Sequence, residues 1–223
     1  HRAGRTDLQP ARTGQPDLQM ITIIDYGLGN VLAFVNVYKR LHIPASVART
    51  PDDLRGATKL ILPGVGAFDH AMELLHRSGM RKPLDAMVLE QSVPVLGVCV
   101  GMQILASSSE EGQSSGLGWV PGDVRKFDVA AMQPRMQLPH MGWNDVKPVV
   151  PSPLFAGLEQ GARFYFLHSY YFHCASDESR LADSEYGIIF SCAVHRRNMY
   201  GVQFHPEKSH HFGTRLLQNF AEL

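Results

Sequence analysis

Gly97-Val98-Cys99-Val100-Gly101 sets a cysteine between glycines, directly after the apolar run Val93–Val98 and before a helical pattern through Met102, Ile104 and Leu105. A sharp strand-to-helix turn lifts such a side chain out of the sheet, and glycines two residues to either side relieve the crowding. A thiol at a helix N-terminus gains thiolate character from the unpaired N–H groups and the helix dipole. The chemistry this suits is nucleophilic attack, although a buried structural cysteine has the same local pattern. Near the other end, His205-Pro206-Glu207 follows the strand-like Met199–Phe204. Pro206 favours an extended His205, and residues i and i+2 of an extended segment face the same way. Glu207 is therefore predicted to accept from one imidazole nitrogen while the other faces the thiol. Alone, this tripeptide also reads as a solvated strand-end histidine beside a carboxylate. With Cys99 it completes a nucleophile, a base and an orienting group on two separate elements.

Those side chains need a scaffold that brings distant segments together. From Met20 the first half alternates short apolar runs with helical stripes. Ile21–Ile24 reads as a buried strand, and Asn30 as the cap of a helix whose stripe includes Val31, Phe34, Val35, Tyr38 and Leu41. Ser46–Ala48 and Leu60–Leu62 are further strands, the latter predicted to break at Pro63-Gly64-Val65-Gly66. A helix follows with Phe68, Ala71, Met72 and Leu75 on one face. The second half has shorter strands, at Val124–Phe127, Asn144–Lys147, Arg163–Leu167, Tyr170–Cys174, Ile188–Cys192 and Met199–Phe204, and no long intervening helix until Phe212, Leu216, Leu217 and Phe220. The fold class is α/β: a three-layer, open, mostly parallel sheet with helices on both faces and an antiparallel extension in the C-terminal half. In such sheets functional groups collect beyond the carboxyl ends of the strands, where Gly27, Gly64 and Gly101 converge.

Composition bounds the rest. The 223 residues can bury one substantial core, and 21 basic residues balance 21 acidic ones. That balance argues against a nucleic-acid footprint. No apolar run approaches the length of a membrane span. Cys99, Cys174 and Cys192 form no metal-like spacing or disulfide framework; the latter two read as core thiols, and a reducing cytoplasm is the default. His210-His211 reads as a turn before the last helix, with no further metal ligand at a typical spacing. No cofactor is expected. Residues 1–19 hold three Arg, two Pro and two Gly without a hydrophobic stretch, and read as an unstructured leader, with Met20 as initiator and 20–223 as one domain.

The Cys99 turn and the His205-Pro206-Glu207 segment together resemble the class I, triad-type glutamine amidotransferases. Residues 20–223 are similar, more narrowly, to the glutaminase subunits of imidazole glycerol phosphate synthase. The likeness is carried by Ile24–Asn30, Leu62–Phe68, Gly97–Gln103, Pro139–Asn144, Phe166–Tyr170 and Gly201–Ser209. It implies hydrolysis of glutamine to glutamate and ammonia by a Cys99–His205–Glu207 triad. It also implies an oxyanion site built from the Val100 N–H and the Gly64-Val65 segment, where a plain strand-to-helix turn is the simpler reading of the glycines. Gln103, one turn beyond Cys99, would hold glutamine together with Glu111, His168, Ser169 and Tyr170. For Glu111 a solvated loop carboxylate, and for His168–Tyr170 strand-end packing, remain alternatives.

The resemblance further implies a heterodimer with a cyclase (synthase) subunit that receives the ammonia. Asn30, Met141, Trp143, Tyr165 and Lys208 would face it. Chemistry alone leaves Met141 and Trp143, expected in a short loop after Pro139, between core packing and an exposed hot spot. Val31–Phe34 and His210–Phe212 depart from the usual pattern of the histidine-pathway subunit. They look like a branch whose synthase amidates a sugar during surface-polysaccharide synthesis. Two alternatives come from other functional classes: a stand-alone cysteine hydrolase, and a non-catalytic regulatory subunit.

Overall fold

The computed structural model describes residues 20–128, 130 and 136–223. The expected leader at 1–19 lies outside them. The first half of the chain runs β1 (Ile21–Ile24), α1 (Val31–Arg40), β2 (Ala45–Ala48), β3 (Lys59–Gly64), α2 (Phe68–Arg77), α3 (Arg81–Asp85), β4 (Val95–Cys99) and α4 (Val100–Gln103). There follow β5 (Gly122–Lys126), β6 (His140–Asp145), β7 (Lys147–Pro148), β8 (Arg163–His168) and β9 (Tyr170–Cys174). The chain closes with β10 (Arg180–Tyr186), β11 (Ile188–Arg196), β12 (Met199–Val202) and α5 (His210–Glu222).

The main sheet runs β2-β1-β3-β4-β12 in parallel, then turns antiparallel through β11 and β10 to β7. β9 joins β11 to β5. Every residue of β1, β3 and β4 is buried, as strands covered on both faces must be. One part of that cover is α1 with α5, tied by the buried Tyr38 hydroxyl donating to the Leu217 carbonyl at 3.1 Å. α2 buries Phe68, Ala71, Met72 and Leu75, the predicted stripe. Asn30 caps α1, its side-chain oxygen accepting from the Ala33 N–H at 3.2 Å. The predicted α/β architecture is observed. Among the described residues no helix is long and apolar enough to cross a membrane.

Several local expectations are corrected. β3 does not break at Pro63: it continues, with Pro63 opposite Val98 and Gly64 opposite Cys99. Proline is tolerated because β1 pairs with β3 only as far as Ile61, so Pro63 has a ladder on one side alone. His140–Trp143 is not a loop but part of β6, which pairs with β8 as a separate two-stranded sheet instead of extending the main one. α4 spans only Val100–Gln103, and Ile104 and Leu105 are buried beyond it. β10 has no counterpart among the expected strands.

Candidate active site

Cys99 ends β4 with φ +56° and ψ −115°, a conformation that a residue bearing a side chain rarely adopts. The neighbouring glycines are enforced by contact. A β-carbon on Gly97 would lie 2.5 Å from the Gly101 carbonyl oxygen, and one on Gly101 would lie 1.9 Å from the Leu62 oxygen. The turn thus packs backbone against backbone, and the sulfur is turned toward a cleft while Cys99 stays 4% exposed.

β12 lies beside β4 in parallel, Val202 opposite Val98, so both strands deliver their next residues to one rim. His205 is set there by its own backbone: its N–H donates to Tyr165 O at 2.9 Å. Its carbonyl accepts from the buried Ser209 hydroxyl at 2.5 Å, and that hydroxyl accepts from the Tyr165 N–H at 3.0 Å. Glu207 does not continue an extended segment, because Pro206–Lys208 is a 3-10 turn. Its Oε1 nevertheless accepts from His205 Nδ1 at 2.8 Å, and both side chains are 3% exposed. Burial opposes a charge on His205. Hydrogen bonds to Cys99 and Glu207, and the negative charge of both, outweigh it and raise the imidazole to about 10. The ring therefore holds a proton next to the sulfur.

The cleft over Cys99 measures about 330 Å³ and is bounded by Val65, Val100, Gln103, Glu111, Ser169 and Tyr170 as well as His205. Gly64 lies beneath, opposite Cys99 in β3, and Glu207 lies behind His205. The structure brings all these predicted residues together. Gln103 is buried, its amide nitrogen donating to the Tyr170 carbonyl at 3.2 Å and to Gln203 Oε1 at 3.0 Å. Glu111 Oε2 accepts from the Phe68 N–H at the start of α2, at 2.9 Å. His168 borders the cleft with both ring nitrogens engaged, Nδ1 to Tyr170 O at 2.7 Å and Nε2 to His140 Nδ1 at 2.9 Å. A carbonyl only accepts, so His168 carries its proton on Nδ1 and accepts on Nε2 from His140. His140 Nε2 in turn takes a hydrogen bond from the Asn144 amide at 3.2 Å. Burial pushes both imidazoles down, His140 to about 4 and His168 to about 3.

β6 and β8 alternate strictly. Met141 faces Leu167 and Trp143 faces Tyr165 on the open side, whereas His140 and His168 face inward. Met141 is 64% and Trp143 39% exposed, which removes the core-packing reading of both. Trp143 stacks on His210 with centroids 5.3 Å apart, and Lys208 Nζ lies 6.0 Å from the Tyr165 ring centre. Asn30 is exposed at the head of α1.

Sequence reasoning gives no role to Tyr26, Gln203 or Ser209. The Tyr26 hydroxyl donates to Pro63 O at 2.8 Å and so pins the strand beside Gly64. Burial, then the Cys99 charge, push that phenol upward, so it stays protonated. The signal for Gln203 is a polar residue at the end of an otherwise apolar strand. All three cysteines are free, and Cys174 is pushed up to about 11 by burial. Among the described residues no group of three or more His, Cys, Asp or Glu is placed to hold a metal.

The family profile "Glutamine amidotransferase class-I" matches residues 22–223. The chain is 64% identical over 204 residues, 92% of its own length and 100% of the relative, to "Imidazole glycerol phosphate synthase subunit HisH" of Bdellovibrio bacteriovorus. It is 52% identical, with the same coverage, to the protein of that name from Leptospira interrogans. Among solved structures it is similar to a glutamine amidotransferase with TM-score 0.70 and 22% identity, covering 91% of this chain and 97% of that one. A chain of PurLQS from Thermotoga maritima superposes with TM-score 0.67 and 17% identity, again covering 91% and 97%. With a strained cysteine turn, a histidine and a carboxylate converging on one cleft, and matches of this extent, the chain belongs to the class-I glutamine amidotransferase family.

Proposed function

We propose that residues 20–223 act as one glutaminase domain, a cytoplasmic HisH-type subunit that passes ammonia to a cyclase partner making imidazole glycerol phosphate in histidine biosynthesis. The name carried by relatives of 64% and 52% identity supports this acceptor over the sugar-amidating branch. Cys99 adds through sulfur to the side-chain amide carbon of glutamine. The tetrahedral oxyanion takes hydrogen bonds from the Val100 N–H and from the Gly64-Val65 segment, each donor contributing about 3 kcal/mol. The C–N bond breaks as His205 gives its proton to the departing nitrogen, leaving ammonia and a glutamyl thioester. His205 then takes a proton from water as the oxygen adds to the thioester. C–S cleavage frees the thiolate beside the protonated imidazole and glutamic acid, which loses its proton to solvent as glutamate. Glu207 holds the imidazole for both transfers.

The glutamine backbone lies toward Gln103, Glu111, Ser169 and Tyr170. Both N–H groups of Gln103 are committed inside the protein, so its oxygen serves the ligand as an acceptor. Glu111, oriented by the Phe68 N–H, offers negative charge to the α-ammonium. His168 shapes the wall while its nitrogens stay occupied. Asn30, Met141, Trp143, Tyr165 and Lys208 dock the cyclase.

The observation that carries the reading is the His205–Glu207 pair at 2.8 Å beside the Cys99 sulfur. The test mixes the protein with a cyclase subunit, glutamine and the cyclase's ribonucleotide substrate, and follows glutamate and imidazole glycerol phosphate. Both should form together and both should vanish with Cys99→Ser. Glutamate formation that survives Cys99→Ser would remove the sulfur from the mechanism.

A further inference from the structure

We infer that Gln203 is a further catalytic residue, an amide donor that stabilises the anionic form of the Cys99 sulfur; this rests on the reading of Cys99 as nucleophile. Gln203 has no exposed surface, and its Nε2 lies 3.8 Å from Cys99 Sγ, within reach of an N–H···S hydrogen bond. An amide has a donor end and an acceptor end, and here the surroundings decide which end meets the sulfur. The Tyr170 carbonyl only accepts, so the Gln103 amide must present nitrogen to it. That same nitrogen meets Gln203, which must answer with oxygen, at 3.0 Å. The remaining end of Gln203, its NH2 group, is thereby turned on Cys99. A chain of buried amides fixes a donor where negative charge appears.

The opposite contact sharpens the point. The Cys99 thiol can donate to the Leu167 carbonyl at 3.9 Å, which favours the protonated sulfur. Once the proton leaves, that oxygen repels the anion and the Gln203 N–H groups attract it. His205 and Tyr26 are titratable groups beside the sulfur, and Glu111, His168, Tyr170 and Lys208 line the same cleft. Tyr26 has its hydroxyl committed to Pro63 O, and the His205 proton is spent on the leaving nitrogen. When the thiolate is regenerated from the thioester, Gln203 is a side-chain donor at the sulfur that does not also have to act as acid and base.

Gln203→Met removes the donor at similar volume, and Gln203→Glu keeps the acceptor for Gln103 while placing a carboxyl oxygen against the sulfur. Each variant is compared with wild type in the cyclase complex for glutamine kcat and KM. Cys99 alkylation by iodoacetamide is followed against pH, with the labelled peptide identified by mass spectrometry. Loss of a charge-assisted hydrogen bond predicts kcat down about tenfold or more for Gln203→Met, with KM within about twofold. The alkylation profile should move to higher pH, further for Gln203→Glu. A merely structural glutamine would lower the melting temperature and leave the profile where it was. Wild-type kcat and profile in a folded Gln203→Met protein would overturn the proposal, and so would an unmoved profile in Gln203→Glu alone if the Met variant fails to fold. Wild-type protein in which iodoacetamide leaves Cys99 unlabelled would instead sink the reading of the nucleophile.

Discussion

The α-carbon of Gly101 faces the Leu62 carbonyl so closely that a β-carbon would sit 1.9 Å from the oxygen. The Cys99 turn is therefore built on contact between two backbones, with no side chain able to move aside. Gly101→Ala should cost at least about 3 kcal/mol, the upper range for overpacking, read as the urea midpoint. Gly66 has φ +89° and open space around its α-carbon, so Gly66→Ala should cost only about 1 kcal/mol from backbone strain. Equal costs would mean that crowding is not what demands glycine at 101.

Glu207→Gln should lower kcat roughly a thousandfold while leaving glutamine KM near wild type, because orientation and charge at Nδ1 are lost and the binding cleft is not. Steady-state glutamate release in the complex measures it. A drop of less than about threefold would show that His205 is held well enough by Tyr165 and Ser209 alone.

His140 and His168 have folded values of about 4 and 3, below the unfolded value of about 6.5. The unfolded chain binds their protons first. Their contribution is present above about pH 6.5 and is lost as pH falls through about 4 and then 3. Each site adds up to about 1.4 kcal/mol per pH unit to the slope between those limits. Urea unfolding at pH 7, 6 and 5 should show that slope, and it should shrink in His140→Gln. An unchanged slope would mean the imidazoles titrate alike in both states.

Trp143→Ala should weaken cyclase binding at least tenfold, as loss of an exposed aromatic anchor does, with the melting temperature moving by only a few degrees. Calorimetric titration and thermal denaturation separate the two. Unchanged affinity would place the docking face elsewhere.

The parallel half of the fold is legible because its strands are apolar runs closed by glycines, as at Ile21–Ile24 and Val95–Cys99. Burial on both faces writes itself into such runs. The His140–Trp143 part of β6 reads as a loop because Pro139 and Gly142 are turn-formers, and a two-stranded sheet with one open face shows little of the apolar pattern. β10 hides for a related reason: Ser184 is buried in it as a polar residue bonded to Asp145 O. Cys99 is readable from its own glycine-flanked turn, and His205 with Glu207 from a tripeptide, each a local pattern. Gln203 is not, since its amide partner Gln103 is 100 residues away along the chain and only the finished sheet brings them together.

β6 carries Met141 and Trp143 on one side of its pleat and His140 on the other. A slip of one residue along β8 would exchange the sides, driving the indole inward and the imidazole into water. No halfway setting exists for a period-two ribbon. The hydrophobic face and the buried imidazole chain are geared together, both engaged or both thrown out.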